Sequence, residues 1–181
     1  DASPEEVSAF DQRKARQDPA QSTVVPGNAA KVARVPTKAL VYLQMRGKKV
    51  QRIVLPIEGK GLWSTLYGFL ALEADTNTIA GITFYEHGET PGLGGEVDNP
   101  TWQALWPGRK AFAVKGSNWT PEISVTKGTA GPPASDPHRV DGLSGATITS
   151  RGVGNLVQFW LEDARFGLFL ANFRREGLAD G

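Results

Sequence analysis

Cysteine is absent from the 181 residues. That excludes a disulfide framework, a zinc ribbon, a thiolate nucleophile and a cysteine-held iron–sulfur cluster. Redox chemistry, if the chain performs any, must therefore come from a bound organic cofactor. Histidine is scarce as well: His87 and His138 are the only two, a poor basis for a zinc enzyme even with carboxylates added. Neither sign of charge is in excess, with 20 Lys and Arg against 19 Asp and Glu and a net charge of +1. That balance argues against nucleic acid or another polyanion as a partner. No apolar run approaches the ~18–20 residues of a membrane span; stretches such as Phe166 to Phe173 are short and interrupted. What is present is a globular composition, 40% hydrophobic and 22% charged, able to bury a core. With 21 Gly and 12 Pro, many turns and close backbone approaches are expected.

The chain opens Asp1-Ala2-Ser3 without methionine, which reads as a processed or truncated product. Ser3-Pro4-Glu5-Glu6 predicts a helix start, with Ser as N-cap, Pro at the first helical position and Glu at the third. Residues 19–36 have the composition of a linker, and a compact domain is expected from about Thr37. Ala39 to Leu43 and Val50 to Pro56, flanking Arg46-Gly47-Lys48-Lys49, predict a hairpin. Leu62 to Ala74 and Thr78 to Tyr85, flanking Asp75-Thr76-Asn77, predict a second. Asn99-Pro100 starts a short helix, and Glu122 to Lys127 is a strand candidate. The clearest helix begins near Ser150, where Val153, Leu156, Val157, Trp160 and Leu161 share one face. Another apolar segment, Leu168 to Phe173, follows it. Strands first and helices last predict an α+β fold: an antiparallel, partly curled sheet of two or more hairpins, flanked by helices and closed by C-terminal ones.

Three segments have the composition of a site. Asp141-Gly142-Leu143-Ser144-Gly145-Ala146-Thr147-Ile148-Thr149-Ser150 leads directly into the best helix. Its glycines permit close approach, and a helix N-terminus offers unpaired N–H groups and partial positive charge to a phosphate. Ser144, Thr147 or Thr149 could bond such a group or be esterified by it, and spacing does not separate Thr147 from Thr149. The plainer alternative is a capping loop with Thr149 or Ser150 as N-cap. Glu86 to Gly95 breaks a strand with glycines and a proline and presents Leu93 at an apolar tip; alternatively it is a turn with solvated Glu and His. Gly59-Lys60-Gly61-Leu62-Trp63-Ser64 is the third, although a lone Trp63 is more often a core residue. Ser144, His138 and Asp141 include the residue types of a serine hydrolase triad. The Gly-x-Ser-x-Gly elbow is missing, however, and the three lie too close in sequence for triad geometry.

Together these segments resemble the covalent FMN-binding domain family. The stretch from Asp141 is similar to its flavinylation motif: Asp, a small residue, any residue, Ser or Thr, then Gly-Ala-Thr. The resemblance implies that a separate flavin transferase moves FMN from FAD onto Thr147 as a phosphoester. Ser144, Gly145 and Ala146 complete the motif, Asp141 leads it, and Thr149 is a neighbour. Glu89-Thr90-Pro91-Gly92-Leu93-Gly94 matches the segment that the family places beside the isoalloxazine ring, and Trp63 stands in its Gly-x-Gly-Leu-Trp motif.

The resemblance runs from about Leu40 to Leu178. It is nearest to the C subunits of sodium-translocating NADH:quinone reductases, through Glu96-Val97-Asp98-Asn99-Pro100 and Phe159-Trp160-Leu161. The G subunit of Rnf-type ferredoxin:NAD oxidoreductases is the alternative. It implies an electron relay within a membrane complex, with other redox subunits as partners and no turnover by this domain alone. It also implies a location on the periplasmic side of a bacterial inner membrane. A membrane helix would precede the sequence; residues 1–36 would be a membrane-proximal helix and linker, and 37–181 the FMN-binding domain. Lys127, His138 and Arg151 are the candidate donors or cations nearest the motif in sequence.

Overall fold

A computed structural model describes residues 3–177, apart from the side chain of Pro4. Leu178, where the resemblance ends, and the chain ends at Asp1-Ala2 and 179–181 lie outside the described residues. Helix α1 (Pro4–Ala9) starts in the expected capping box: Glu6 N–H donates to Ser3 Oγ, and Ser3 N–H donates to Glu6 Oε2. Helix α2 (Gln12–Gln17) begins on Asp11, whose carboxylate accepts the N–H groups of Arg13 and Lys14. Residues 19–36, expected as a linker, instead contain an antiparallel pair, β1 (Ser22–Val24) and β2 (Arg34–Pro36). The loop between them buries Ala30 and Val32 in the main core, and the Lys60 N–H donates to the Ala30 carbonyl at 2.9 Å. Two small side chains suffice for that contact, so the low apolar content concealed it.

The central sheet is an antiparallel meander of β3 (Tyr42–Arg46), β4 (Lys49–Lys60), β5 (Thr65–Glu73) and β6 (Ile79–Glu86). Alternation sets its faces: Leu66, Gly68, Leu70 and Leu72 of β5 point inward, while Tyr67, Phe69 and Ala71 point outward. Gly47, at φ 60°, makes the tight turn between β3 and β4. Thr76 also has φ 60° although it is not glycine. It is held there by Asp75, which accepts the N–H groups of Asn77 and Thr78, and by Arg174, which donates to Thr76 Oγ1 at 2.8 Å. The first strand of the second expected hairpin begins at Thr65 rather than Leu62, because residues 62–64 bend and direct their N–H groups to a side chain.

After β6, a 3-10 turn (Gly94–Asp98) leads to α3 (Pro100–Gln103), capped by Asn99 as the sequence suggested. The hairpin of β7 (Phe112–Lys115) and β8 (Asn118–Pro121) was not foreseen; it turns at Gly116. Only Ser124–Val125 of the expected strand 122–127 is regular; this is β9, which pairs parallel with β10 (Arg139–Val140). Helix α4 (Thr147–Leu161) starts three residues before the expected Ser150. Its Val153, Leu156, Val157, Trp160 and Leu161 pack on the inner face of the sheet. Glycines let helix and strand approach: a Cβ on Gly59 would lie 2.4 Å from Leu156 Cβ, and one on Gly152 would lie 2.4 Å from the Lys60 carbonyl oxygen. A π-type turn at Asp163–Gly167 then joins α4 to α5 (Leu168–Glu176). The architecture is the expected α+β class.

Candidate functional site

The N-terminus of α4 opens onto a groove of about 560 Å³. One side is the motif itself: Asp141 to Gly145, Thr147 and Ser150. The other is Thr126, Lys127, Gly128 and Thr129. The N-cap residue, Ala146, makes no side-chain cap. The expected caps are elsewhere, since Thr149 and Ser150 both lie inside the helix and are buried. Ser150 Oγ accepts the Leu143 N–H at 2.9 Å and so closes the preceding turn. The first helical N–H groups thus have no capping side chain and carry the positive end of the helix dipole. Gly145, at φ 69°, makes the turn immediately before the helix.

Within this loop the three hydroxyls differ sharply. Ser144 and Thr147 are exposed. Thr149 is 1% exposed, and its Oγ1 donates to Glu89 Oε2 at 2.6 Å. Only the first two are reachable from solvent. Thr147 alone combines that exposure with the first position of the helix.

The opposite wall is built around backbone atoms. Asp141 Oδ1 accepts the Ala130 N–H at 2.9 Å, and the Gly142 N–H donates to the Gly128 carbonyl at 2.8 Å. A Cβ on Gly142 would stand 2.4 Å from the Thr126 carbonyl oxygen. Trp102, from α3, donates its indole N–H to the Asp141 carbonyl at 2.9 Å and fixes the motif from behind.

Glu89 is 5% exposed and draws together segments distant in sequence. Its carboxylate accepts the N–H groups of Leu62 (3.1 Å), Trp63 (2.9 Å) and Ser64 (3.0 Å), together with the hydroxyls of Ser64 and Thr149. Burial alone would raise the Glu89 pKa, but the Thr149 hydroxyl and these N–H groups outweigh it and hold the carboxyl below the usual range. The Glu89 N–H donates to His87 Nδ1 at 3.2 Å, so the ring's proton sits on Nε2, 3.3 Å from Asp98 Oδ2. Thr90 is exposed at the surface; its carbonyl accepts the N–H groups of Leu93 and Gly95 and shapes the turn in which Gly92 has φ 75°.

Large apolar side chains stand in solvent on these same segments: Trp63 at 67% exposure, Ile148 at 55%, and Leu62 and Leu93 to a lesser degree. Leu93 Cδ2 comes within 3.0 Å of the position a Cβ on Gly145 would take, so the Leu93 tip abuts the motif loop. Trp63 is therefore not the core residue that a lone tryptophan suggests.

Of Lys127, His138 and Arg151, Lys127 lines the groove, whereas the other two do not. His138 Nδ1 donates to the Lys110 carbonyl at 2.9 Å. With His138 and Asp141 bonded elsewhere, neither bonds Ser144 among the described residues, and no hydrolase triad forms. Thr126, Gly128 and Thr129 were not singled out from the sequence. They precede Asp141 by 12 to 15 residues, and only the fold brings them against the motif.

These features fit FMN in their chemistry. An uncapped helix end and hydroxyls suit a phosphate, and exposed apolar side chains beside them suit a flat ring. Comparisons with known proteins agree. The FMN-binding domain family model matches residues 61–162. The C subunit of the Na(+)-translocating NADH-quinone reductase of Vibrio anguillarum is 50% identical over 175 residues, covering 96% of this chain and 67% of that protein. That of Pseudomonas aeruginosa is 49% identical over 169 residues, covering 92% and 64%. The chain thus spans about two thirds of the length of such relatives. The crystal structure of Shewanella oneidensis NqrC superimposes with a TM-score of 0.87 at 37% identity, covering 97% of this chain and 79% of that one. The corresponding C subunit from Parabacteroides distasonis gives 0.59 at 27%, covering 87% and 73%. On its motifs, its fold and these matches, the chain belongs to the FMN-binding domain family and, within it, to the C subunits of Na(+)-translocating NADH-quinone reductases.

Proposed function

We propose that this chain is the FMN-carrying electron-relay subunit of such a reductase, with FMN held as a phosphoester on Thr147. One observation carries the reading: Thr147 presents an exposed alcohol at the first position of an uncapped 15-residue helix, whereas the Thr149 hydroxyl is buried on Glu89. Ser144, Gly145, Ala146 and the Thr126–Thr129 wall would surround the phosphate, and Lys127 would offset part of its charge. Trp63, Leu93, Thr90 and Gly92 would face the ring.

When bound, FMN supplies reversible one- and two-electron transfer; the protein supplies attachment, orientation and electrostatics. The chain's own residues hold an accessible alcohol ahead of a helix dipole and fix two walls about it. A separate flavin transferase would supply the transfer chemistry. A covalent tether keeps the cofactor at high effective concentration for partner subunits. Residues 1–36 would be the membrane-proximal segment, its 22–36 hairpin packed into the core of the FMN-binding domain of residues 37–181, on the periplasmic side of a bacterial inner membrane. Among the described residues no helix is long and apolar enough to cross a membrane; an anchor would lie outside this sequence. Electron transfer to other subunits, without turnover by this domain alone, follows from the same reading.

The test is co-expression with a flavin transferase. A denatured band that fluoresces under ultraviolet light, and a dark Thr147→Val band, are expected. A fluorescent Thr147→Val band refutes the assignment.

A further inference from the structure

A buried carboxylate needs donors, and Glu89 receives them from two distant elements: the 62–64 bend after β4, and α4 through Thr149. Its surroundings are shaped for it. A Cβ on Gly61 would lie 2.7 Å from Glu89 Oε1, and one on Gly94 would lie 2.8 Å from Oε2. The three successive N–H groups form an anion-binding concavity filled by the protein's own side chain.

What the clasp fixes is informative. The Trp63 side chain is 67% exposed and has little packing to hold it. Its segment is pinned through the backbone, by the Trp63 N–H on Glu89 and by Lys60 Nζ donating to the Trp63 carbonyl at 2.8 Å. At the other end Thr149 lies two residues beyond Thr147, on the same first turn of α4.

We propose that Glu89 is a positioning residue for the bound flavin, tying the Trp63 bend to α4 so that the ring-facing indole keeps a fixed place relative to the Thr147 anchor. This rests on the reading of Thr147 as the FMN anchor. A phosphoester leaves a ligand free to rotate, so its orientation depends on the surface the ring meets. Displacing that surface by about 1 Å is enough to matter. Glu89→Gln keeps the volume but replaces one of the two acceptor oxygens with an NH₂ donor, so the N–H groups facing that side lose their acceptor and the clasp loosens. Thr149→Val cuts the clasp at the helix end only.

The experiment uses protein matured with a flavin transferase: wild type, Glu89→Gln, Thr149→Val, Trp63→Ala and the Glu89→Gln/Trp63→Ala double variant. Intact mass reports attachment, and visible circular dichroism of the flavin reports its fixed asymmetric surroundings. Glu89→Gln is expected to carry the FMN increment while losing at least twofold in dichroic intensity, and Thr149→Val to lose less. In the Trp63→Ala background, Glu89→Gln should add little further loss. An unchanged flavin signal in Glu89→Gln overturns the proposal, as does an equal loss in the Trp63→Ala background. Failure of Glu89→Gln alone to take FMN also overturns it, since the residue would then serve attachment. If wild type lacks FMN on Thr147, the anchor reading fails and this inference with it. Should Glu89→Gln prove too unstable to isolate, Thr149→Val with and without Trp63→Ala decides on the same criteria.

Discussion

Thr149 Oγ1 donates to Glu89 Oε2 at 2.6 Å, across 60 residues of sequence, and both side chains are buried. That bond joins two motifs and settles which threonine of the Thr147-Ile148-Thr149 run has its hydroxyl free. Deleting one partner leaves a buried charge short of a donor, at a cost of about 1–3 kcal/mol. Thr149→Val should therefore unfold at lower denaturant concentration with an unchanged slope, and should still accept FMN on Thr147. A Thr149→Val protein that folds but takes no FMN contradicts this assignment.

Acid should act on the same carboxylate. Glu89 is held below its ordinary value of 4.5, so its contribution is complete above that pH and is lost as pH falls through the folded-state pKa. The stability gap between wild type and Glu89→Gln is expected to be constant near neutrality and to narrow below about pH 4.5. Urea melts at stepped pH measure it. A gap that widens on acidification reverses the sign and disproves the argument.

Gly152 sets how closely α4 approaches β4. Alanine there gains helix propensity worth about 1 kcal/mol. However, its Cβ would sit 2.4 Å from the Lys60 carbonyl oxygen, a backbone atom that moves only with the strand. Overpacking of this kind costs about 1–3 kcal/mol and more when backbone must shift. The clash wins, and calorimetry should show the Tm of Gly152→Ala lowered by roughly 2–8 °C. A raised Tm would mean the helix has room to spare.

Asp141 braces the groove wall through Oδ1, which accepts the Ala130 N–H. Asp141→Asn keeps an acceptor for the Ala130 N–H, whereas Asp141→Ala removes it. A lost hydrogen bond of about 1 kcal/mol should speed amide hydrogen exchange at Ala130 about fivefold in the alanine variant, with asparagine near wild type. Equal exchange in all three proteins excludes this role.

The sheet and the helix were legible because their patterns are local. Alternation in β5, the turn at Asp75-Thr76-Asn77 and the single face of α4 lie within short windows. The motif loop was legible through the order of its small and hydroxylated residues. The β1–β2 hairpin was hidden because Ala30 and Val32 are small and its loop borrows stability from the core. The β7–β8 hairpin was hidden because Trp119 completes its packing under Arg174, from the far end of the chain. The helix start was misplaced by three residues because Thr149 or Ser150 read as the cap, while the observed N-cap is Ala146 with no capping side chain. Spacing could not choose between Thr147 and Thr149; the family resemblance chose Thr147, and the burial of the Thr149 hydroxyl on Glu89, which only the fold brings alongside, supports that choice.

Peptide mapping of protein matured with a flavin transferase tests the central claim most directly. The peptide spanning Asp141 to Arg151 should gain the mass of FMN less one water, with fragmentation placing it on Thr147. The same increment on Thr149 or Ser144, or a bare peptide from material that has acquired flavin elsewhere, would contradict the account.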